Sequence, residues 1–275
     1  MTEAALRPAV IALAGGLREA RNDRGIGLRR LAAMVDIHPS VLSSFELGHR
    51  TPQDTTVAHI LGVLRAPQHV REHLIDLARR THDHDLIDHT GHAENYLRTA
   101  FEQRSTHVTE WSPTLIPETL QTAEYARALQ DTGLLNPEAA DVSCLLRTAR
   151  QLALSDQPGP LHTFLIGEAA TRPDACTPDV LRDQLDQLRT WTRKPRIAVR
   201  IVPAADCPPG LVEPFTLYEH LAVALRHHGS AVYSTHQATL TTYEKTARAL
   251  HRRATECNLQ ASIFCPGFQR DHPAD

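Results

Sequence analysis

From Leu28 to Pro52 the apolar positions fall into two short helical registers with a break between them. Leu28, Leu31, Ala32 and Val35 stand at i, i+3, i+4 and i+7, giving one apolar stripe that leaves Arg29 and Arg30 outside it. Asp36-Ile37-His38 interrupts the register, and Pro39 suits the first position of a second helix, where its missing N–H costs nothing. That helix packs through Leu42 and Phe45, ends at Gly48, and carries Ser40, Ser43 and Ser44 on its outer face. Upstream, Val10, Leu13, Leu17 and Ala20 repeat at helical spacing. Downstream, Val57, Ile60, Leu61 and Leu64 do the same after the turn at Thr51-Pro52. A fifth helix is predicted from about Pro67 through Val70, Leu74 and Leu77 to Arg80, so residues 1–81 read as an all-α five-helix domain.

Past Thr81 the text turns polar, THDHDLIDHTGHAENYLRTAFEQ, and then helical around Tyr96, Leu97 and Phe101; residues 82–105 read as a hinge with a linker helix. Helical patterns at Pro117 to Asp131, Pro137 to Ser155, Pro178 to Arg193 and Thr239 to Cys257 follow. They alternate with strand-like runs in HTFLIGE, RIAVRIVP and the FTLYEHLAVAL to AVYST region. Residues 106–275 are therefore expected to form a mixed α/β (α+β) domain. A helix carrying Leu181, Leu185 and Leu188 separates the strands at 161–168 and 196–203, the order of a crossover unit.

Composition adjusts this picture in three places. The chain has 275 residues and a formal charge of −3, yet residues 1–80 hold 11 Arg against 8 acidic residues, leaving 18 basic and 24 acidic residues beyond them. The helical part is the basic part, and a local patch rather than bulk charge has to supply any electrostatic attraction. Five cysteines without a CxxC pair fit a reduced compartment, and no basic-then-apolar leader or 18-residue apolar run is found, so a cytoplasmic protein away from membranes is expected. The cluster His82, Asp83, His84, Asp85, Asp88, His89 and His92 has side chains that suit zinc, but it falls in the expected linker and contains no cysteine. No metal and no cofactor is expected. Without a Gly-rich phosphate loop, HExxH or GxSxG, catalysis is not expected either. Cys207 near His220, His227 or His228 is the one arrangement weighed as a nucleophile.

Two short helices joined in this way place the second one to enter the DNA major groove, its N-terminal residues nearest the base edges. The segment LREARNDRGIGLRRLAAMVDIHPSVLSSFELGHRTPQ resembles the helix-turn-helix of lambda-repressor-like, xenobiotic-response-element regulators. The residues that close the recognition helix in that family are here Ser43, Phe45, Glu46 and Gly48. The resemblance implies a structural pair between Arg21 and Glu46. It aims Pro39, Ser40 and Ser44 at bases, sets Arg29, Arg30, His49 and Arg50 toward phosphates, and includes His38 and Ser43 in the same DNA-facing set. The turn position usually held by Gly is Asp36, which also tolerates a left-handed conformation, and the position often held by Arg is Ser44. The bidentate donors that discriminate bases by ~1–3 kcal/mol are thus missing, which points to a dimer on DNA.

The remainder resembles the C-terminal domain of actinobacterial WhiJ-like, antitoxin-like regulators. Its marks are Trp111-Ser-Pro, Ile116-Pro117 with Leu120-Gln121-Thr122, Tyr125-Ala126-Arg127, Arg147 with Arg150, Gly167-Glu168-Ala169, Gln184-Leu185, Ile201-Val202-Pro203 and Gly210-Leu211 before Phe215. Where the family usually reads Pro-Gly-Leu-Leu-Gln-Thr, this chain reads Pro117-Glu118-Thr119-Leu120-Gln121-Thr122. The resemblance implies a DNA-binding regulator paired with a small protein encoded by a neighbouring gene, with a sensory or partner-binding role for residues 106–275. Glu168 at a strand end, the cations Arg147 and Arg150, and the aromatics Trp111, Tyr125 and Phe215 form the candidate pocket for a partner or small-molecule effector. The competing reading makes them an interior Glu–Arg pair and core aromatics. The expected function is a dimeric, sequence-specific transcriptional regulator of double-stranded operator DNA. The alternative is an antitoxin that neutralises a small partner and binds DNA to regulate itself.

Overall fold

The computed structural model describes residues 7–89, 93–131, 140–156, 159–172, 176–207, 210–211, 213–227 and 230–256. In chain order the elements begin with α1 (Pro8–Asp23), α2 (Leu28–Met34), α3 (Pro39–Glu46), α4 (Asp54–Val63) and α5 (Gln68–Arg79). Next come β1 (Asp85–Asp88), α6 (Glu94–Glu102), β2 (His107–Ser112), α7 (Ala123–Asp131), α8 (Ala140–Asp156) and β3 (Leu161–Gly167). The chain continues with α9 (Pro178–Thr192), β4 (Ile197–Val202), β5 (Phe215–Tyr218), β6 (Ala222–His227), β7 (Ser230–Ser234), α10 (Gln237–Arg253) and β8 (Thr255–Glu256). They fall into two compact units, Met1–Ser105 with His220–Tyr243, and Thr106–Glu219 with Glu244–Asp275. Among the described residues no helix is long and apolar enough to cross a membrane.

The first unit contains the five expected helices. Pro8 sits in the first turn of α1, and Ala9 through Ala14 are all buried together with Leu17 and Ala20. The expectation rested on Val10, Leu13, Leu17 and Ala20 at helical spacing. The N-terminal half of α1 is apolar all round because α3, α5, α6 and β1 all pack on it. Two adjacent glycines make that crowding possible: a Cβ at Gly15 would lie 2.4 Å from the Tyr96 ring, and one at Gly16 would lie 2.4 Å from Leu74. Each glycine costs a helix interior about 1 kcal/mol, which close packing of α6 and α5 offsets.

Residues 82–105, expected as a hinge, contribute β1 and α6 to this unit. Strand β1 pairs antiparallel with β7, and β7 with β6. The buried Asp88 carboxylate accepts the Ala93 N–H at 2.9 Å and so fixes the chain just ahead of α6, while Arg226 of β6 pairs with Glu94 at 2.9 Å.

In the second unit β2, β3 and β4 run parallel, with β5 antiparallel beside β2 and β8 antiparallel beside β4. The mixed sheet confirms the α+β expectation, and α9 provides the crossover from β3 to β4. One sheet face carries Phe164, Ile166, Ile197, Val199 and Ile201, covered by Leu181, Leu188 and Trp191 of α9 and Tyr125 and Leu129 of α7. The helix expected from Pro117 to Asp131 is divided. Glu118–Leu120 makes a single tight 3-10 turn, Gln121 is extended, and the Thr122 hydroxyl then caps α7 by accepting the Tyr125 N–H at 3.1 Å. Residues 137–139 of the next expected helix lie outside the described residues. The helix expected from Thr239 to Cys257 stops at Arg253, where the chain turns into β8.

Candidate nucleic-acid interface

The α2–turn–α3 unit is set by backbone choices that the sequence dictates. Asp36 occupies the left-handed region at φ 51°, in place of the usual glycine, and Gly48 at φ 70° terminates α3. Beyond Gly48 the His49 and Arg50 amides both donate to the Ser44 carbonyl, at 2.9 and 3.1 Å, which anchors both residues at the end of the helix.

Three arginines spaced by three, Arg18 and Arg21 on α1 and Arg24 just past its end, hold α3 and α4 by their C-terminal ends. The Arg21 guanidinium meets the Glu46 carboxylate in a two-bond fork, Nε to Oε1 at 2.7 Å and Nη2 to Oε2 at 2.8 Å, and also donates to the Ile26 carbonyl at 3.0 Å. The two side chains are only 13% and 4% exposed, so this is a buried, geometrically complete pair. Hydrogen bonding to Glu46 raises the Arg21 pKa against the smaller opposing effect of burial, and the cation is permanent. Arg18 donates to the Glu46 carbonyl, and Arg24 donates to the carbonyls of Leu64 and Arg65 beyond α4. Cations at helix C-termini are favoured by the helix dipole as well as by the exposed carbonyls. Sequence reasoning identified Arg21 and missed Arg18 and Arg24; their three-residue spacing beside the apolar stripe was the signal. It also missed Tyr96, whose ring lies over Gly15 and whose hydroxyl donates to Glu19. Burial first, and then Glu19, push that phenol well above its usual range.

Outside this frame the expected phosphate contacts stand open. Arg29, Arg30, His49 and Arg50 are exposed, with no side-chain hydrogen bond or ion pair among the described residues. The reading face of α3 is more self-contained. The Ser44 hydroxyl donates to the Val41 carbonyl at 2.7 Å, the Ser40 hydroxyl contacts His38 Nδ1 at 2.7 Å, and Pro39 and Ser43 are half-buried.

The six residues of the candidate pocket have separate places in the second unit. Trp111 and Phe215 face each other across β2 and β5, both fully buried. Tyr125 belongs to the core on the sheet face that carries Phe164, and its hydroxyl accepts the Ile116 N–H at 3.5 Å; burial pushes its phenol up. Arg150 pairs with Glu118 at 3.2 Å rather than with Glu168, and Arg147 is buried on the same helix. The Glu168 carboxylate accepts the Ala204 N–H at 2.7 Å and fixes the turn after β4. Gly167 beside it permits a close backbone approach, since a Cβ there would stand 2.1 Å from the Pro113 carbonyl. What is concentrated here is a brace on residues 116–122. Gln184 accepts the Thr122 N–H and donates to the Leu120 carbonyl, Gln151 donates to the Gln121 carbonyl, and Gln121 to the Ile116 carbonyl.

The His-rich tract is likewise engaged in the fold. Arg7 donates to the His82 carbonyl at 2.7 Å, Asp83 pairs with Arg80 at 3.3 Å, Thr235 donates to the His84 carbonyl, and the Ser234 hydroxyl donates to Asp85. His89 is exposed and His92 lies outside the described residues. Among the described residues no three His, Cys, Asp or Glu side chains gather as metal ligands.

Comparison with known proteins agrees with this layout. Residues 17–67 match the helix-turn-helix family model, and residues 98–258 match the model described as a domain of unknown function (DUF5753), the arrangement of the WhiJ-like regulators. The helix-turn-helix match supports a DNA-binding transcriptional regulator. No curated protein matches the sequence. Among solved structures the chain is similar to TrmBL2, an archaeal chromatin protein with a novel mode of DNA binding. Identity is 10% and the TM-score 0.31, over 80% of this chain and 72% of that one, too slight a likeness to carry an argument.

Proposed function

This chain belongs to the DUF5753 family, and with a helix-turn-helix ahead of that domain we propose that it is a sequence-specific transcriptional regulator binding double-stranded operator DNA as a homodimer. One observation carries the reading: the buried Arg21–Glu46 fork fixes α3, while Arg29, Arg30, His49 and Arg50 are left exposed around it, without a side-chain partner among the described residues. Phosphate contacts from these residues position the helix, and its side chains read the bases. Because Ser40 and Ser44 already make hydrogen bonds within the protein, each half-site offers few contacts, and two subunits are needed for useful affinity.

The second unit acts as the regulatory part, without a catalytic step of its own. Its occupant works through different affinities for DNA-competent and DNA-incompetent forms. A small partner protein fits better than a metabolite. The aromatic and charged pocket candidates are engaged in the core and its braces, whereas Leu145 and Leu152 stand 74% and 58% exposed one heptad apart on α8. The antitoxin reading uses the same partner, with DNA binding serving autoregulation.

Selection of genomic fragments by the purified chain tests the proposal. Enrichment of a two-fold related pair of half-sites is expected; uniform recovery of fragments overturns it. Co-purification with the product of the adjacent gene tests the partner, and a partner bound by chains that no longer bind DNA favours the antitoxin reading.

A further inference from the structure

The N-terminal turn of α3 has no backbone donor left to offer. Pro39 lacks an N–H, the Val41 and Leu42 amides donate to the His38 carbonyl at 2.9 and 3.3 Å, and the Ser40 amide donates to His38 Nδ1 at 3.3 Å. A phosphate therefore finds no free amide at this helix end, and any contact made there comes from side chains.

The Ser40 amide also selects a tautomer of the imidazole that closes the turn. An amide N–H only donates, so Nδ1 must present its lone pair to Ser40, and the ring proton of the neutral side chain resides on Nε2. The Ser40 hydroxyl lies 2.7 Å from the same nitrogen, so it too is engaged with the ring. His38 itself is exposed. With Ser44 bonded to Val41 and Ser40 engaged with the ring, the Nε2–H of this exposed side chain is the longer-armed donor at the N-terminus of the reading helix.

We propose that His38 is a specificity-determining residue of this regulator: it caps α3 through Nδ1 and, through Nε2–H, reads a hydrogen-bond acceptor on a base edge in the major groove. Purine N7, guanine O6 and thymine O4 are the acceptors of matching chemistry. This inference rests on the DNA-binding reading above. It supplies the ring-length donor that the serines of α3 lack.

Two substitutions separate the cap from the contact. His38→Ser keeps a side-chain acceptor for the Ser40 N–H and removes the outward donor, whereas His38→Ala removes both. The full-length wild-type and variant chains are each used to select from a pool of duplexes with a randomised core. The salt dependence of binding to the wild-type winner and thermal melting are then measured.

The expected result is that His38→Ser melts with the wild type and loses its preference at one base pair per half-site. It should bind the wild-type winner roughly tenfold less tightly, with the salt slope unchanged. His38→Ala should show the same altered preference together with a lower melting temperature. If the Ser variant melts early, His38→Asn, which retains an acceptor at the cap on a shorter arm, takes its place in the comparison. An unchanged preference overturns the proposal. So does a salt slope flattened by about one with the preference intact, which would assign His38 to a phosphate. A wild-type chain that enriches no sequence at all overturns the regulator reading, and this assignment with it.

Discussion

In the first unit Arg29, Arg30 and Arg50 stand exposed with no side-chain partner among the described residues, whereas in the second unit Gln121, Gln151, Gln184 and Glu168 each close on a backbone group. Both units tie polar side chains to backbone groups, but to different ends. In the first, Arg18, Arg21 and Arg24 fasten helix ends so that other cations remain available at the surface. In the second, the amides are directed inward and hold residues 116–122 in one conformation. The contrast suggests that nucleic-acid recognition needs donors left over after folding, while the braced loop uses its hydrogen bonds to hold its own shape.

The largest expected effect comes from breaking the buried fork. Arg21→Met leaves the Glu46 carboxylate buried without its partner and should cost ~3–5 kcal/mol of stability in the first unit, measured by urea unfolding. Pairing it with Glu46→Leu should recover most of that loss. A single variant as stable as the wild type would remove the distinction between the fastening arginines and the open ones. Next in size is Gln184→Leu, which strands the Thr122 N–H and the Leu120 carbonyl at about 1–3 kcal/mol each and should lower the second unit's unfolding midpoint without changing DNA affinity at low salt.

Changing Arg29 and Arg30 together to Ala should leave stability unaltered and flatten the log–log salt dependence of DNA binding by about two. An unchanged slope would show that these exposed cations do not meet phosphates. The smallest effect concerns His251, whose ring is held below its ordinary value by burial and then by the Arg200 cation. On acidification the unfolded chain takes up that proton first. The contribution is therefore intact above the ordinary histidine value and is lost as pH falls through it toward the lower folded one. His251→Gln should reduce the drop in melting temperature between about pH 7.5 and about pH 5.5; an identical drop would mean that the ring gains nothing from staying neutral.

The helix-turn-helix was legible because its information is local. The i, i+3, i+4, i+7 spacing, Pro39 at a helix start and Gly48 at its end each determine the conformation of their own neighbourhood. Arg21 and Glu46 were legible through the family resemblance. Elements were misread where the deciding partner lies far along the chain. Tyr96 looked like part of a linker helix because its seat is Gly15, and β1 escaped notice because Asp85–Asp88 pairs in register with Ala231–Ser234, more than 140 residues further along the chain. Strand β2 was missed for a different reason: Thr109 and Glu110 interrupt its apolar alternation, although neighbours on both sides make it a central strand. Residue type marked Trp111, Tyr125 and Glu168 as notable. It did not reveal that the strand, helix and turn carrying them direct these side chains into the core and its braces, and that is what separates a pocket wall from a core.

The pairing of β1 with β7 also imposes an order of events during synthesis. The last strand of the first unit ends at Ser234, and the residues that cluster with it run to Tyr243. A ribosome releasing the chain from its N-terminus delivers the helix-turn-helix early. It cannot deliver the completed first unit until Thr106–Glu219 has also emerged. A nascent chain stalled before that point would carry the recognition helix with β1 still lacking its neighbour.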